Sequence, residues 1–513
     1  VGRGTTGNFN VTNAYRDVRV RVRYPVASPT VTSCSTDNFS IRPTAFTVTS
    51  TGAGNTGTTG TPAIKTGANF NLTAASVTGY DGTPIIDNTK IAGTPTAGAI
   101  GGGFSAAPVG TGTASGASFF YSEAGNFGLN ANAVYDSGFT SVDQPSDCTA
   151  DFSNALAGGK YGCSFGSTAI AQTTGVSGFG RFIPDNFNVS YNMPLFGSGC
   201  VTFTYVGKTF AYTIAPAITV TARNGTNNGL TNATTTNYAG AYMKFSNAAG
   251  SSLNQAPYDT QGGRYTRFDA LGGGATPALD TAGLPATTGD PAIGTFTNGI
   301  GTLTFGSGAG LVFTRSTTTP NAPFNADIAL ALNVIDTDGV TFAANPASFG
   351  AATAGNGMAF TSGQEMRYGR LFLQNAYGSD LAPLSLPMRV EYYSTDGWVT
   401  NTADTCTSLG LANLDLQNAI DNPAQGVATI IIKSGTPNKT STVTVVSPTA
   451  GAGSLDFSAP LADGYADASM DLSARTWLRF DWDGNGSDDD PTGRATFGIY
   501  RGSPRQIYLR QRY

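Results

Sequence analysis

The chain has 513 residues, enough for two to four domains with a core each, and combines 67 glycines and 11% aromatic residues with only 12% charged residues and a formal net charge of −5. The aromatic content excludes a disordered chain, and the charge excludes a basic nucleic-acid-binding surface. Histidine is absent, which removes the usual general base, the usual zinc ligand and the Ser–His and Cys–His nucleophile pairs. Glutamate occurs only at Glu123, Glu365 and Glu391, so a paired-carboxylate hydrolase would rest on aspartates, and the expectation is a protein that is not an enzyme. No apolar run reaches the roughly 18 residues of a membrane-spanning helix, and no signal peptide is present. Val1 is therefore expected to begin a processed or excised part of a longer chain.

At the start of the chain, Val18, Val20, Val22 and Tyr24 alternate with Arg19, Arg21 and Arg23. Strict alternation predicts a strand with one apolar and one cationic face. Two readings fit it: an ordinary edge strand of the first domain, or an arm ended by Pro25 and Pro29 that completes a neighbouring subunit's sheet.

An internal repeat follows. Ile41-Arg42-Pro43-Thr44-Ala45-Phe46-Thr47-Val48-Thr49 matches Phe182-Ile183-Pro184-Asp185-Asn186-Phe187-Asn188-Val189-Ser190. More loosely, the Gly-Tyr-Asp-Gly turn at 79–82 matches Thr236-Asn237-Tyr238-Ala239-Gly240. Two similar β modules are the simplest explanation, each an immunoglobulin-type sandwich of short strands joined by turns. The predicted organisation is an N-terminal arm over 1–40, sandwich modules over 41–180 and 181–384, and a C-terminal β module over 385–513.

Within the first module, Phe119 to Leu129 reads as strand, corner, strand, with Glu123 at the corner, and the Gly/Thr/Ala-rich residues 50–64 and 92–118 read as long loops or glycine-rich strands. In the second, Ile328 to Ile335 is a near-continuous apolar run, which predicts a strand buried on both faces. The Asp336-Thr337-Asp338-Gly339 segment after it reads as a turn, with cation binding as the alternative. In the third, strands are predicted at Met388–Tyr393, from Trp398, at Val427–Ile432 and at Thr442–Val446, with a short helix over Leu411–Asp421.

Five cysteines are present, Cys34, Cys148, Cys163, Cys200 and Cys406, and none forms a CxxC pair. In a secreted chain this favours disulfides over metal. Cys148 and Cys163 flank a short loop and are the expected pair; two of the other three can pair, leaving one over.

The tail holds the densest group of carboxylates. Asp481, Asp483, Asn485 and Gly486 follow the D-x-D-x-N-G pattern, and Asp488, Asp489 and Asp490 come soon after. Such side chains converge on a hard cation when the backbone curls, and calcium takes about six to eight oxygens, so Asp481, Asp483, Asn485 and Asp489 are the candidate calcium ligands. Thr492 stands where an EF-hand carries its bidentate glutamate, and the flanks read as strands; the competing reading is a solvated Asp/Gly turn. Trp398 and Trp482 are either sugar-stacking rings beside this loop or core residues. After Pro491, Ala495–Tyr500 and Gln506–Tyr513 are predicted strands joined through Arg501–Arg505.

The segments Phe480-Asp481-Trp482-Asp483-Gly484 and Arg494-Ala495-Thr496-Phe497-Gly498-Ile499-Tyr500, with Arg367-Tyr368-Gly369-Arg370-Leu371, Leu386-Pro387-Met388-Arg389-Val390-Glu391-Tyr392-Tyr393 and Asn401-Thr402-Ala403-Asp404-Thr405-Cys406 upstream, resemble the MshQ-like family. Those proteins are associated with the mannose-sensitive haemagglutinin type IV pilus of Gram-negative bacteria. The resemblance implies a secreted, surface-associated, all-β protein and carries no catalytic residue. The expected function is extracellular, structural or adhesive, as a pilus-associated component or a filament subunit acting through self-association or pilus partners. The alternative is a calcium-dependent carbohydrate-binding module with a glycan as ligand.

Overall fold

A computed structural model describes residues 5–7, 9–172, 175–268, 277–351 and 353–499. The predicted strand Gln506–Tyr513 and its connecting loop lie outside these residues.

The molecule is all-β, built of tandem immunoglobulin-like β-sandwich modules around three hydrophobic cores. The partition is clearest in the third module. One sheet runs in the order Gly369–Leu373, Leu384–Ser394, Ala452–Phe457, Lys439–Thr449, Thr429–Lys433, and the facing sheet in the order Ala376–Gly378, Thr492–Phe497, Gly464–Met470, Leu414–Gln417. The opening segment of the module is divided between both sheets, and its second half runs parallel to the last strand, with Ala376 opposite Ala495. This is the immunoglobulin division into an A-B-E-D sheet and a C-F-G sheet, with the first strand shared, Thr429–Lys433 added beyond D and Gly397–Thr400 paired on the end of Leu384–Ser394. Alternate burial along Gly464–Met470 follows from the pleat, which sends Ala466, Ala468 and Met470 into the core.

The first core is aromatic: Phe46, Phe70, Phe119, Phe127, Phe165 and Phe182 are all buried. Strands Thr113–Tyr121 and Phe70–Ala75 pair antiparallel across one of its sheets, and the expected strand–corner–strand is present as Thr113–Tyr121 followed by Gly125–Leu129. In the second core, Ile328–Leu332 pairs with Tyr265–Arg267 on one side and Ala347–Phe349 on the other, so it is a central strand, as an apolar run of this kind requires.

The internal repeat is structural. Phe46 and Phe187 are both fully buried, and each makes a parallel bridge to the far end of its module, to Ser167 and Phe342 respectively. Tyr80 packs 5.2 Å from the ring of Phe46, and Tyr238 packs 5.4 Å from that of Phe187.

Two expectations are corrected. Residues 411–421 do not form a helix: Leu411–Asn413 is one 3-10 turn and Leu414–Gln417 is a strand, because Leu414 and Leu416 enter the core at the period of two that a strand supplies. The arginine-alternating segment is not an edge strand of the first sandwich. Tyr15–Val18 pairs with Phe39–Ile41, and among the described residues Arg21–Tyr24 pairs only with Val31–Cys34, in a separate two-stranded sheet whose residues are all exposed. The alternation is kept, but no layer of the described chain covers its apolar side, and Val20, Val22 and Tyr24 are 50%, 62% and 73% exposed.

The modules are tied to one another by buried contacts. Glu123, expected as a turn residue, sits at the corner of the first module and accepts hydrogen bonds from the backbone of Thr236 and Asn237 in the second. Arg181 is buried and ion-paired with Asp338. Strand Phe203–Tyr205 runs parallel to Glu365–Arg367 and sends Phe203 and Tyr205 into the third core, joined there by Cys200 from just before the strand. There Cys200 is disulfide-bonded to Cys406 across 206 residues of chain.

Candidate metal site

The acidic loop leaves a 3-10 turn at Thr476–Leu478 and returns to the strand Thr492–Phe497. Phe480 and Asp489 close it with two backbone hydrogen bonds, of 3.2 and 2.9 Å. Inside, Asp481 accepts the backbone N–H groups of Asn485 and Gly486, both at 2.9 Å, and Asp483 accepts that of Asn485 at 3.0 Å. Gly484 and Gly486 stand at φ 75° and 89°, the left-handed region where a glycine suits the tight curl.

The curl brings three of the four predicted ligands together. One carboxylate oxygen from each of Asp481, Asp483 and Asp489 lies within 4.8 Å of the others. Asn485 is adjacent, but its amide oxygen accepts from Ser487 and its amide nitrogen donates to Asp483, so its oxygen is turned away from the trio. Three carboxylates offer up to six hard oxygens with lone pairs to spare after the backbone bonds, a donor set that suits calcium completed by water.

The other two acidic residues of the run are committed to arginines. Asp490 takes two hydrogen bonds from the Arg479 guanidinium and caps the backbone of Leu472. Asp488 lies 3.4 Å from Arg315 of the second module, and partial burial raises its carboxyl above the ordinary range. Arg315 in turn lies flat on Tyr368, 3.7 Å from the ring centroid.

Behind the loop, Arg370 organises the aromatic residues. Its guanidinium is 3.8 Å from the Trp398 ring, 5.0 Å from Trp482 and 5.2 Å from Phe480, and it donates to Glu391 at 2.8 and 2.9 Å. Trp398 also meets Tyr368, Tyr393 and Phe480 edge-on. Both tryptophans are thus half-buried members of one cation–π cluster that fixes the base of the acidic loop.

Asp336 and Asp338 do not converge on a cation. Asp336 is buried and accepts from Tyr238, Asp338 and Val340, which is the turn reading, and Asp338 faces Arg181. Cys148 and Cys163 are bonded as expected, and Cys34 is the cysteine left over, exposed at the end of the N-terminal hairpin. Cys200, Asp404 and Cys406 lie close together, but the disulfide takes both sulfurs out of metal chemistry.

Three buried tyrosine–aspartate pairs had no counterpart in the sequence reading: Tyr80–Asp136, Tyr238–Asp336 and Tyr205–Asp404, at 2.7, 2.6 and 2.6 Å. The signal that could have found two of them is the pair of segments Val134-Tyr135-Asp136 and Val334-Ile335-Asp336, each followed by a short turn, an apolar residue and a threonine.

Residues 158–363 match the third domain of DUF6701 and residues 367–512 its fourth domain, together more than half of the chain. No curated protein matches the chain. Among solved structures, the Escherichia coli adhesin FdeC overlays with a TM-score of 0.27 at 10% identity, covering 88% of this chain and 98% of that one. The I9–I11 tandem of titin overlays with a TM-score of 0.20 at 7% identity, covering 85% and 95%.

Proposed function

The chain belongs to the DUF6701 family, and from that footing we propose that it is an extracellular structural or adhesive component of a bacterial cell surface, acting by assembly or adhesion rather than by catalysis. The observation that carries the reading is the cross-linking of successive β-sandwich modules: a disulfide and the Tyr205–Asp404 pair join the second module to the third, and Glu123 joins the first to the second. A series of modules tied in this way suits a part that transmits or withstands force. The two disulfides fit an oxidising, extracellular setting, and no helix among the described residues is long and apolar enough to cross a membrane. The resemblance to the MshQ-like family supports a Gram-negative surface and association with a pilus.

The hairpin Arg21–Tyr24/Val31–Cys34 supports self-association into a filament, because an isolated two-stranded sheet with an exposed apolar side gains stability from a neighbour. Negative-stain electron microscopy of the chain beside a Val20→Asp/Val22→Asp/Val31→Asp variant tests this. Filaments that vanish in the variant support joining through the hairpin. Single particles in both samples overturn the filament and leave a monomeric adhesin.

A second reading, calcium-dependent glycan binding at the tail, is favoured by the convergence of Asp481, Asp483 and Asp489. Glycan binding that requires calcium and is lost in Trp482→Ala would establish it.

A further inference from the structure

We propose that the cleft beside the Cys148–Cys163 disulfide is a saccharide-binding site, separate from the acidic tail. The cleft holds about 530 Å³ and lies between the strand Phe39–Ile41 and the disulfide loop. That volume is in the range of preformed small-molecule sites.

Both walls are fixed before any ligand arrives. Asp143 accepts from the Ser40 backbone N–H at 2.7 Å and from the Ser40 hydroxyl at 2.8 Å, which pins the strand. Arg42 donates to the carbonyls of Gly162 and Ser153 at 2.6 and 2.7 Å and to the Asn154 side chain at 2.9 Å, which pins the loop. The disulfide closes the same loop, so little ordering remains for a ligand to impose.

These ties leave Arg42 and Asp143 occupied and a different set of groups available. The Phe39 and Tyr161 rings line the cleft at 36% and 52% exposure. Among the described residues, the Lys160 ammonium and the Tyr161 hydroxyl have no protein hydrogen-bond partner, while Asp147 uses one oxygen on Gln144 and keeps the other. A pyranose matches this set: its C–H face lies on an aromatic ring, and its hydroxyl rim takes an acceptor from Asp147 and a donor from Lys160.

Other ligand classes fit less well. The Ser40 N–H is already spent on Asp143, which works against an added peptide strand. Asp143 and Asp147 offset Arg42 and Lys160 in the lining, so the cleft has no net positive charge to draw a phosphate.

The assignment goes beyond the surface-component reading, since a chain that forms no filament can still bind a sugar here. The test is saturation-transfer NMR on the whole chain with five separate probes: the methyl glycosides of galactose, mannose, glucose and N-acetylglucosamine, and free N-acetylneuraminic acid. At least one probe is expected to receive saturation. The signal should vanish in Tyr161→Ala and weaken about tenfold or more in Asp147→Asn, since each change removes one face of recognition. It should persist in Trp482→Ala and in excess chelator. Both altered side chains of the cleft are exposed, and unchanged thermal midpoints verify the fold of the variants. Saturation of none of the five probes overturns the proposal, as does a signal that survives both cleft variants. A signal lost with Trp482→Ala or chelator overturns it in favour of the tail.

Discussion

The phenol of Tyr238 donates a 2.6 Å hydrogen bond to the buried carboxylate of Asp336. The same relationship holds between Tyr80 and Asp136 at 2.7 Å in the preceding module and between Tyr205 and Asp404 at 2.6 Å in the third core. In each case the aspartate also caps the turn that follows it, so one carboxylate joins a turn to a tyrosine far away in sequence. Tyr238→Phe leaves a buried carboxylate short of one donor and should lower stability by about 1–3 kcal/mol, read by denaturant unfolding.

The same pair sets a pH dependence. Burial, the largest influence, outweighs the hydrogen bond from Tyr238 and raises the Asp336 carboxyl from 3.8 to about 6. The folded protein therefore binds this proton more tightly than the unfolded chain. The stabilisation from Asp336 is fully present below about pH 4 and is lost as pH rises through 6, by on the order of 2–3 kcal/mol. Asp336→Asn should remove this contribution, so the difference in stability between wild type and variant should vary between pH 4 and 7 and level off above it.

Removing the inter-module disulfide with Cys200→Ser/Cys406→Ser frees a loop of 206 residues. Loop-closure entropy puts the loss at about 5 kcal/mol. Calorimetry should show the second and third modules melting in separated transitions, while the wild type melts them together.

Arg370 holds Glu391 and the Trp398 ring at once. Arg370→Lys keeps the charge but loses the planar stack and one of the two donors, and should cost about 1–3 kcal/mol. Tryptophan emission should shift to the red as Trp398 and Trp482 become wetter.

If the acidic loop takes calcium, millimolar calcium raises the thermal midpoint. Saturation at about a hundred times Kd corresponds to about 2.7 kcal/mol. Asp481→Asn/Asp483→Asn should abolish the rise, and because each asparagine keeps an oxygen to accept the backbone N–H groups of the curl, the midpoint without calcium should change little. No rise in the wild type would leave the loop as an acidic turn.

Much of the fold was legible in local pattern. The run Ile328–Leu332 announced a central strand, the Phe46 and Phe187 segments announced a repeated module, and the short spacing of Cys148 and Cys163 announced their bond. Leu411–Asp421 misled because leucines three and five apart suit a helix face or a strand equally well over so short a stretch, and the core behind Leu414 and Leu416 decided for the strand.

By itself the sequence determined what depends on near neighbours: strands from alternation, turns from Asp and Gly, and the curl of 481–486 from its two glycines. Only the tertiary structure decided what depends on residues brought together across long stretches of chain. It turned Asn485 away from the carboxylates, placed Arg370 among the tryptophans, joined Cys200 rather than Cys34 to Cys406, and left the Arg21–Tyr24 hairpin uncovered. Those outcomes follow from packing and hydrogen-bond competition among groups up to 206 residues apart, and no local pattern records which distant partner wins.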